Sequence, residues 1–418
     1  MLPHRLVCRA SGRSYDPSAI TYLCEEEGPK TPPGGILRGV LEVEYDFAAK
    51  PIEPRHFADT GRQGTARYLP LLPLPSPDLL PPLQVGGTPL ESGGRWGQKR
   101  GFARLWFKDE ARNPTGSFKD RASVMVVAKA KQLGITRVTA ASTGNAGTAL
   151  AGMCAAAGME AIVFVPESAP EGKLCQLLAY GATVVRVAGT YDDAFELCLR
   201  ATEEFGWYNR NTAYNPWTID GKRVPAFEIA EQLGWRAPDW IAVSVGDGCI
   251  ISGLAKGFRD LLGARLIDKM PKLLAVQAEG SNTIVRAWRD DLPEPIVVPG
   301  AKSMAESIVV EAPRNGLLAL RDIRDSDGAG VAVSEDEIRQ AMRELAAETG
   351  LFVEPSCAIT AAGVEKAAER GYLSRDEEIV VVLTGTGLKD VRGAMKCYKM
   401  PEPVKPKLKA LKKALALE

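Results

Sequence analysis

Asn113-Pro114-Thr115-Gly116-Ser117-Phe118-Lys119-Asp120-Arg121 sets one lysine on a turn of small residues, just ahead of the run Ala122-Ser123-Val124-Met125-Val126-Val127-Ala128. The run predicts a helix over 118–133, so Lys119 stands at its N-terminus. The macrodipole there favours anions, which leaves a lysine electrostatically misplaced. An amine beside a positive helix end gives up its proton more readily, and an uncharged amine is the form that makes a Schiff base. A solvated surface lysine is the plain alternative, and the rest of the chain decides between the two.

Working outward, strands at 104–108, 138–141, 161–165, 183–187, 240–245, 273–277 and 379–384 alternate with helices at 118–133, 146–157, 170–180 and 191–205. Apolar, β-branched strands alternating with helices predict an α/β fold whose parallel sheets are covered on both faces. Three further strand ends run into small residues: Ser142-Thr143-Gly144-Asn145-Ala146-Gly147, Val245-Gly246-Asp247-Gly248-Cys249-Ile250, and Leu383-Thr384-Gly385-Thr386-Gly387-Leu388-Lys389-Asp390. Helix starts of this kind expose backbone N–H groups that bind carboxylate or phosphate. The bland reading of the first is a capped turn. The competitor for the second is a dinucleotide loop, whose Gly-x-Gly-x-x-Gly spacing and downstream acid are not evident.

Composition narrows the chemistry. The 418 residues suit two domains. Fifty-two basic and 52 acidic residues leave no net pull toward nucleic acid or an anionic membrane. No apolar run approaches the ~20 residues of a membrane span, and Met1-Leu2-Pro3-His4-Arg5-Leu6 does not read as a secretory leader. Scattered cysteines, such as Cys154, Cys198 and Cys357, suggest reduced thiols in a cytoplasm. Only His4 and His56 are present, so proton transfer falls to another side chain, and lysine is the natural candidate.

The flanks read differently from the body. Cys8-x-x-Ser11 and Cys24-x-x-Glu27 stand where two Cys-x-x-Cys knuckles of a zinc ribbon would stand, each lacking its second cysteine. A ribbon-like fold without metal is expected, since two thiols, a hydroxyl and a carboxylate make a poor zinc site. Leu41 to Tyr45 alternates as an exposed strand does. The proline-rich stretch 61–90 is expected to exclude helix and favour extended segments; it reads as a connector packed along the body, with a partner-binding polyproline tract as the alternative. A basic amphipathic helix is expected within 405–413.

Asn113 to Arg121 resembles the cofactor-lysine motif of threonine synthases, in the family of pyridoxal-phosphate enzymes that includes serine and threonine dehydratases and the tryptophan synthase β-subunit. Gly87-Thr88-Pro89-Leu90 resembles the family's entry signature, and the three small-residue junctions follow in family order. The resemblance implies two doubly wound α/β domains of fold type II, with a small zinc-ribbon-like N-terminal segment. Residues 1–60 would be that segment, 61–134 and 190–400 the large cofactor domain, 135–189 a small mobile domain that closes on substrate, and 401–418 a tail. It further implies pyridoxal 5'-phosphate held through Lys119 beside Phe118, with Asn145 on the ring hydroxyl. The amides of Gly246, Asp247, Gly248, Cys249 and Ile250 would take the cofactor phosphate, the Asp247 carboxylate pointing away. Thr384, or failing that Thr386, would face the pyridine nitrogen, with Glu354-Pro355-Ser356 near the ring. Ser142, Thr143, Gly144, Asn145 and Ala146 would hold the substrate carboxylate, with Lys108 also on the substrate. A cytoplasmic homodimer acting on a small amino acid is the expected setting.

Threonine synthases convert O-phosphohomoserine and water to threonine and phosphate. Relatives carry an arginine for the substrate phosphate in an Asn-Pro-Tyr-Arg-Ile-Glu-Gly-like stretch. Here Asn215-Pro216-Trp217-Thr218-Ile219-Asp220-Gly221 has Thr218 at that place, and a threonine lacks the bidentate grip of a guanidinium. Lys108, Lys173, Arg210, Lys222 and Arg223 are the candidate substitutes. Two other readings are a related β-eliminase or β-replacement enzyme, such as a serine/threonine dehydratase or a cysteate synthase-like enzyme using O-phosphoserine, and a non-catalytic binding protein on the same fold.

Overall fold

A computed structural model describes residues 1–58, 60–169 and 171–416, with the side chains of 171–173 left undescribed. The body holds two sheets. The larger has the order Ala329–Val333, Lys272–Ala278, Trp240–Ser244, Glu378–Leu383, Arg104–Asp109, Leu90–Ser92. All neighbours are parallel except the antiparallel edge pair Leu90–Ser92 with Arg104–Asp109. The last strand of the sheet in sequence, Glu378–Leu383, thus lies in its interior. Every residue of Trp240–Ser244 and of Glu378–Leu383 is buried, as parallel strands covered by helices on both faces must be.

The smaller sheet is parallel throughout, in the order Thr183–Val187, Glu160–Pro166, Arg137–Ala141, Tyr208–Asn209. Helix Tyr191–Phe205 packs on it through Ala194, Phe195, Cys198 and Ala201. This α/β unit therefore runs on past 189 to about residue 209. Two short strands, Leu90–Ser92 and Ala329–Val333, and the pair Tyr208–Asn209 were not expected. Leu90–Ser92 and Tyr208–Asn209 are only three and two residues long, and Ala329-Gly330 lacks the β-branched density that marks its neighbours.

The N-terminal piece is a three-stranded antiparallel sheet of Ser14–Tyr15, His4–Cys8 and Leu41–Tyr45. Ser11 Oγ lies 3.4 Å from Cys24 Sγ, and the Tyr15 hydroxyl donates to that sulfur at 3.2 Å. Burial raises the Cys24 pKa, yet these hydroxyls and the amides of Glu26 and Glu27 outweigh it and bring the thiol down to about 7. Among the described residues no three His, Cys, Asp or Glu side chains are grouped to hold a metal ion. Glu42 is buried against Arg9, Arg259 and Arg321, which ties this sheet to helices Cys249–Gly263 and Gly316–Asp325 of the body. In the proline-rich stretch, Tyr68, Leu71, Leu72 and Leu74 join the main core, so it is a packed connector. The tail helix is Leu408–Ala414, and no helix among the described residues is long and apolar enough to cross a membrane.

Candidate active site

Ligands in open parallel sheets sit beyond the carboxyl ends of the strands, and four small-residue loops meet there. Strand Arg104–Asp109 leads to the turn before Lys119, Arg137–Ala141 to Ser142-Thr143-Gly144, Trp240–Ser244 to Gly246-Asp247-Gly248, and Glu378–Leu383 to Thr384-Gly385-Thr386. The first and last are clamped together: Phe118 N donates to Thr384 O at 2.8 Å, and Ser117 bridges Gly385. Glu354 N donates to Gly385 O at 3.1 Å, which brings the 352–354 loop onto the same floor.

Lys119 opens helix Lys119–Gln132. It is half-buried, in a cleft whose other members act on its charge. Burial lowers its pKa below the ordinary lysine value, and Arg210 pushes the same way; Cys249, Asp247 and Glu354 pull against them. The expected lowering of its pKa thus has a physical cause, and burial is the largest part of it.

Most of the nine-residue motif around Lys119 is scaffolding. The Asn113 side-chain oxygen accepts from Gly86 N at 2.9 Å, and its Nδ2 donates to Glu110 Oε2 at 2.8 Å. Asp120 accepts from the Thr115 N–H and hydroxyl. Arg121 is buried between Glu110 and Glu228. Gly87 N and Thr88 N both donate to Glu228, and Thr88 Oγ1 donates to Glu110 at 2.7 Å. Gly86 has φ +86°, and a Cβ there would lie 2.3 Å from Arg121 Nη1. The entry signature at 87–90 is therefore the socket of a buried ion network, held in place because its polar groups satisfy one another.

Lys108 belongs to that network, which corrects its expected place on the substrate. Its ammonium donates to Glu228 at 2.8 Å, Thr88 O at 2.7 Å and Gln232 at 2.9 Å. All three donors of an ammonium are then spent. Arg223 is similarly taken, by Asp220 and Asp260. The Lys173 side chain lies outside the described residues. Thr218 is buried with its hydroxyl donating to Asn215 O at 2.7 Å.

The remaining expected residues are brought to the cleft. Asn145 begins helix Asn145–Ala157, and its Nδ2 donates to Glu354 at 3.1 Å. Ser142 Oγ accepts from Gly144 N at 3.2 Å, shaping the loop that also holds Thr143 and Ala146. Helix Cys249–Gly263 starts directly after Gly248, whose φ is +88°. A Cβ at 248 would stand 2.6 Å from Ala319 Cβ, and one at 246 would stand 3.0 Å from Ile308 Cα. The Asp247 carboxylate accepts from Arg314 N at 3.0 Å, so it is engaged behind the loop. The first N–H groups of the helix, from Cys249 and Ile250 on, have no partners within it. A glycine cradle at a helix start, next to a lysine of lowered pKa, fits a phosphorylated aldehyde.

Sequence reading missed several members. Cys357 Sγ lies 3.2 Å from Thr384 Oγ1 and accepts from Gly385 N at 3.0 Å. Glu354 was seen only as part of a loop near the ring; it is buried, accepts from Asn145 and Ser307, and has its pKa raised by burial. Lys389 donates to Thr115 O at 3.1 Å, to Thr148 Oγ1 at 2.9 Å and to Gln176 Oε1 at 2.6 Å, bridging the two α/β units. Its place two residues beyond Gly387 in a quoted motif was the available signal. Thr386 caps its own turn, accepting from Leu388 N, which leaves Thr384 as the inward threonine.

The family described as pyridoxal-phosphate dependent enzyme matches residues 82–385. A threonine synthase of Methanocaldococcus jannaschii is 36% identical over 412 residues, covering 98% of this chain and 98% of its own length. The chain belongs to the pyridoxal-phosphate dependent enzymes, in the threonine synthase family. A second threonine synthase, from Methanosarcina acetivorans, is 34% identical over 413 residues, 99% of this chain and 98% of its own. Among solved structures, the processed form of threonine deaminase isoform 2 from Solanum lycopersicum has a TM-score of 0.64 at 22% identity. It covers 74% of this chain and 86% of that one, and confirms the fold. As a pyridoxal-phosphate dependent enzyme, the chain has its N-terminal sheet and the 401–416 tail outside the matched family region.

Proposed function

We propose that this enzyme converts O-phosphohomoserine and water to threonine and phosphate, with Lys119 as both cofactor anchor and proton carrier. The observation that supports the reading most is the position of the Lys119 amine. Its charge is coupled to Cys249 and Asp247 of the glycine turn and to Glu354, whose carboxylate accepts from Asn145 of the Ser142–Ala146 loop. When bound, pyridoxal phosphate supplies an electron sink for negative charge at the substrate Cα. The amides of Gly246 to Ile250 hold its phosphate, Asn145 and Thr384 orient its ring, and the Ser142–Ala146 loop holds the substrate carboxylate. Thr384 is neutral and backed by the Cys357 thiol, so it does not force a proton onto a ring nitrogen as an aspartate would. The Lys119 amine, its pKa lowered by burial, takes the proton from Cα and returns protons as phosphate departs from Cγ and water adds at Cβ. Lys389, joined to Thr148 and Gln176, ties the small α/β unit to the large one, which serves closure over the substrate and exclusion of water. A cytoplasmic homodimer is the setting we propose.

The absence of an arginine at 218 favours a second reading, elimination or replacement on O-phosphoserine or a hydroxy amino acid. Purified holoenzyme offered O-phosphohomoserine decides between them. Threonine and inorganic phosphate in equal amounts support the first. Consumption of serine or O-phosphoserine without threonine from O-phosphohomoserine overturns it.

A further inference from the structure

Two of the cations offered in place of an arginine at 218 have no carboxylate partner among the described residues. Arg210 is 1% exposed, and its Nε donates to Ser123 Oγ at 3.1 Å. Its Nη2 has no hydrogen-bond partner among the described residues. Lys222 is fully buried, and its Nζ meets one hydroxyl, that of Thr212 at 3.2 Å. Burial lowers the pKa of both, Arg210 to about 10 and Lys222 to about 7, and Arg210 and Lys119 each depress Lys222 further. Cys249 and Asp247 oppose the shift at Lys222, and Cys249, Tyr191 and Asp120 oppose it at Arg210. Buried cations without a carboxylate partner are costly to keep, and binding an anion offsets that cost.

The surroundings say which anion. Arg210 N donates to Thr139 O at 2.8 Å, and the next residue, Asn211, accepts from Ala141 N at 2.8 Å. That places Arg210 beside the Ser142–Ala146 loop. Lys222 lies by Cys249, at the Gly246–Ile250 loop. Arg210 and Lys222 act on each other's charge, which puts both within range of one dianion.

We infer that Arg210 and Lys222 form the subsite for the substrate's phosphate group, in place of the arginine expected at 218. This rests on the threonine synthase reading above. As the Cγ–O bond breaks, both its electrons leave with the phosphate, and the two cations meet that charge.

The test is a titration of holoenzyme with inorganic phosphate, followed by the cofactor's visible absorbance and by calorimetry, in the wild type, Arg210→Gln, Arg210→Lys and Lys222→Gln. Cofactor affinity is measured alongside by equilibrium dialysis. Both glutamine variants are expected to weaken phosphate binding at least about tenfold and raise KM for O-phosphohomoserine more than they lower kcat. Arg210→Lys is expected to recover part of the loss, and cofactor affinity to stay within about threefold of wild type. Unchanged phosphate affinity overturns the proposal. So does a parallel loss of cofactor affinity, which would assign the pair to the cofactor's own phosphate, and so does failure of both glutamine variants to fold, which would make the cations structural. Phosphate bound through these residues in an enzyme that makes no threonine keeps the subsite and sinks only the assigned reaction.

Discussion

A single amine defines the chemistry, and its neighbours define the amine. Lys119→Ala is expected to remove the visible absorbance of cofactor-loaded protein and to cut turnover by about a thousandfold or more; an absorbance spectrum and a threonine assay check both. Lys222 gives a second expectation, this one on stability. Its folded pKa, about 7, lies below the ordinary 10.5. Between these values the unfolded chain binds more protons than the folded one, so this group makes stability rise with pH across the window. Below about pH 7 both states are protonated and its destabilisation is complete. Lys222→Met should flatten the slope of unfolding free energy between pH 7 and 10 in cofactor-free protein, measured by urea denaturation at each pH. An unchanged slope would show that Lys222 keeps its charge when folded.

At the scale of elements, the strand-to-helix turns demand particular backbones. Gly248 adopts φ +88° with no room for a Cβ beside Ala319. Gly248→Ala is expected to cost about 1–3 kcal/mol of stability and to weaken cofactor binding, read by urea denaturation and by dialysis. These turns were the most legible part of the sequence, because glycine and small hydroxyl residues at strand ends have few other uses. The buried parallel strands were legible for the same reason: a run such as Ile379-Val380-Val381-Val382 admits little but a covered strand. What stayed hidden was partnership. Nothing local tells that Lys108 is spent on Glu228, 120 positions away, or that Cys357 backs Thr384. Lys108 and Arg210 look alike as letters, and only the three-dimensional supply of carboxylates separates a neutralised cation from one with a free donor.

Across the whole molecule, the N-terminal sheet is built into the body. Tyr22 stacks on Tyr214 with ring centroids 4.6 Å apart and accepts from Asn209 N at 2.8 Å, next to Arg210. Leu37 and Val40 pack in one cluster with Cys249 and Ile219. Glu42→Ala should cost about 1–3 kcal/mol, since it removes a buried carboxylate from Arg9 and Arg259, both partly exposed, while Arg259 keeps Asp322. It should also loosen the helix that starts at Cys249, so cofactor affinity falls with it; thermal unfolding with and without pyridoxal phosphate reads both. Equal losses in the two conditions would separate the sheet from the cofactor loop.

The interior position of Glu378–Leu383, between Trp240–Ser244 and Arg104–Asp109, has a bearing on synthesis. Nine-tenths of the chain has been synthesised before the segment that joins the two halves of the large sheet exists. Until then the hydrogen-bonding edges of both flanking strands are open, a hazard for pairing between chains. Thr384 arrives on the same segment. Premature termination anywhere before it therefore yields protein that is both sticky and inert, with no partly active fragment in between.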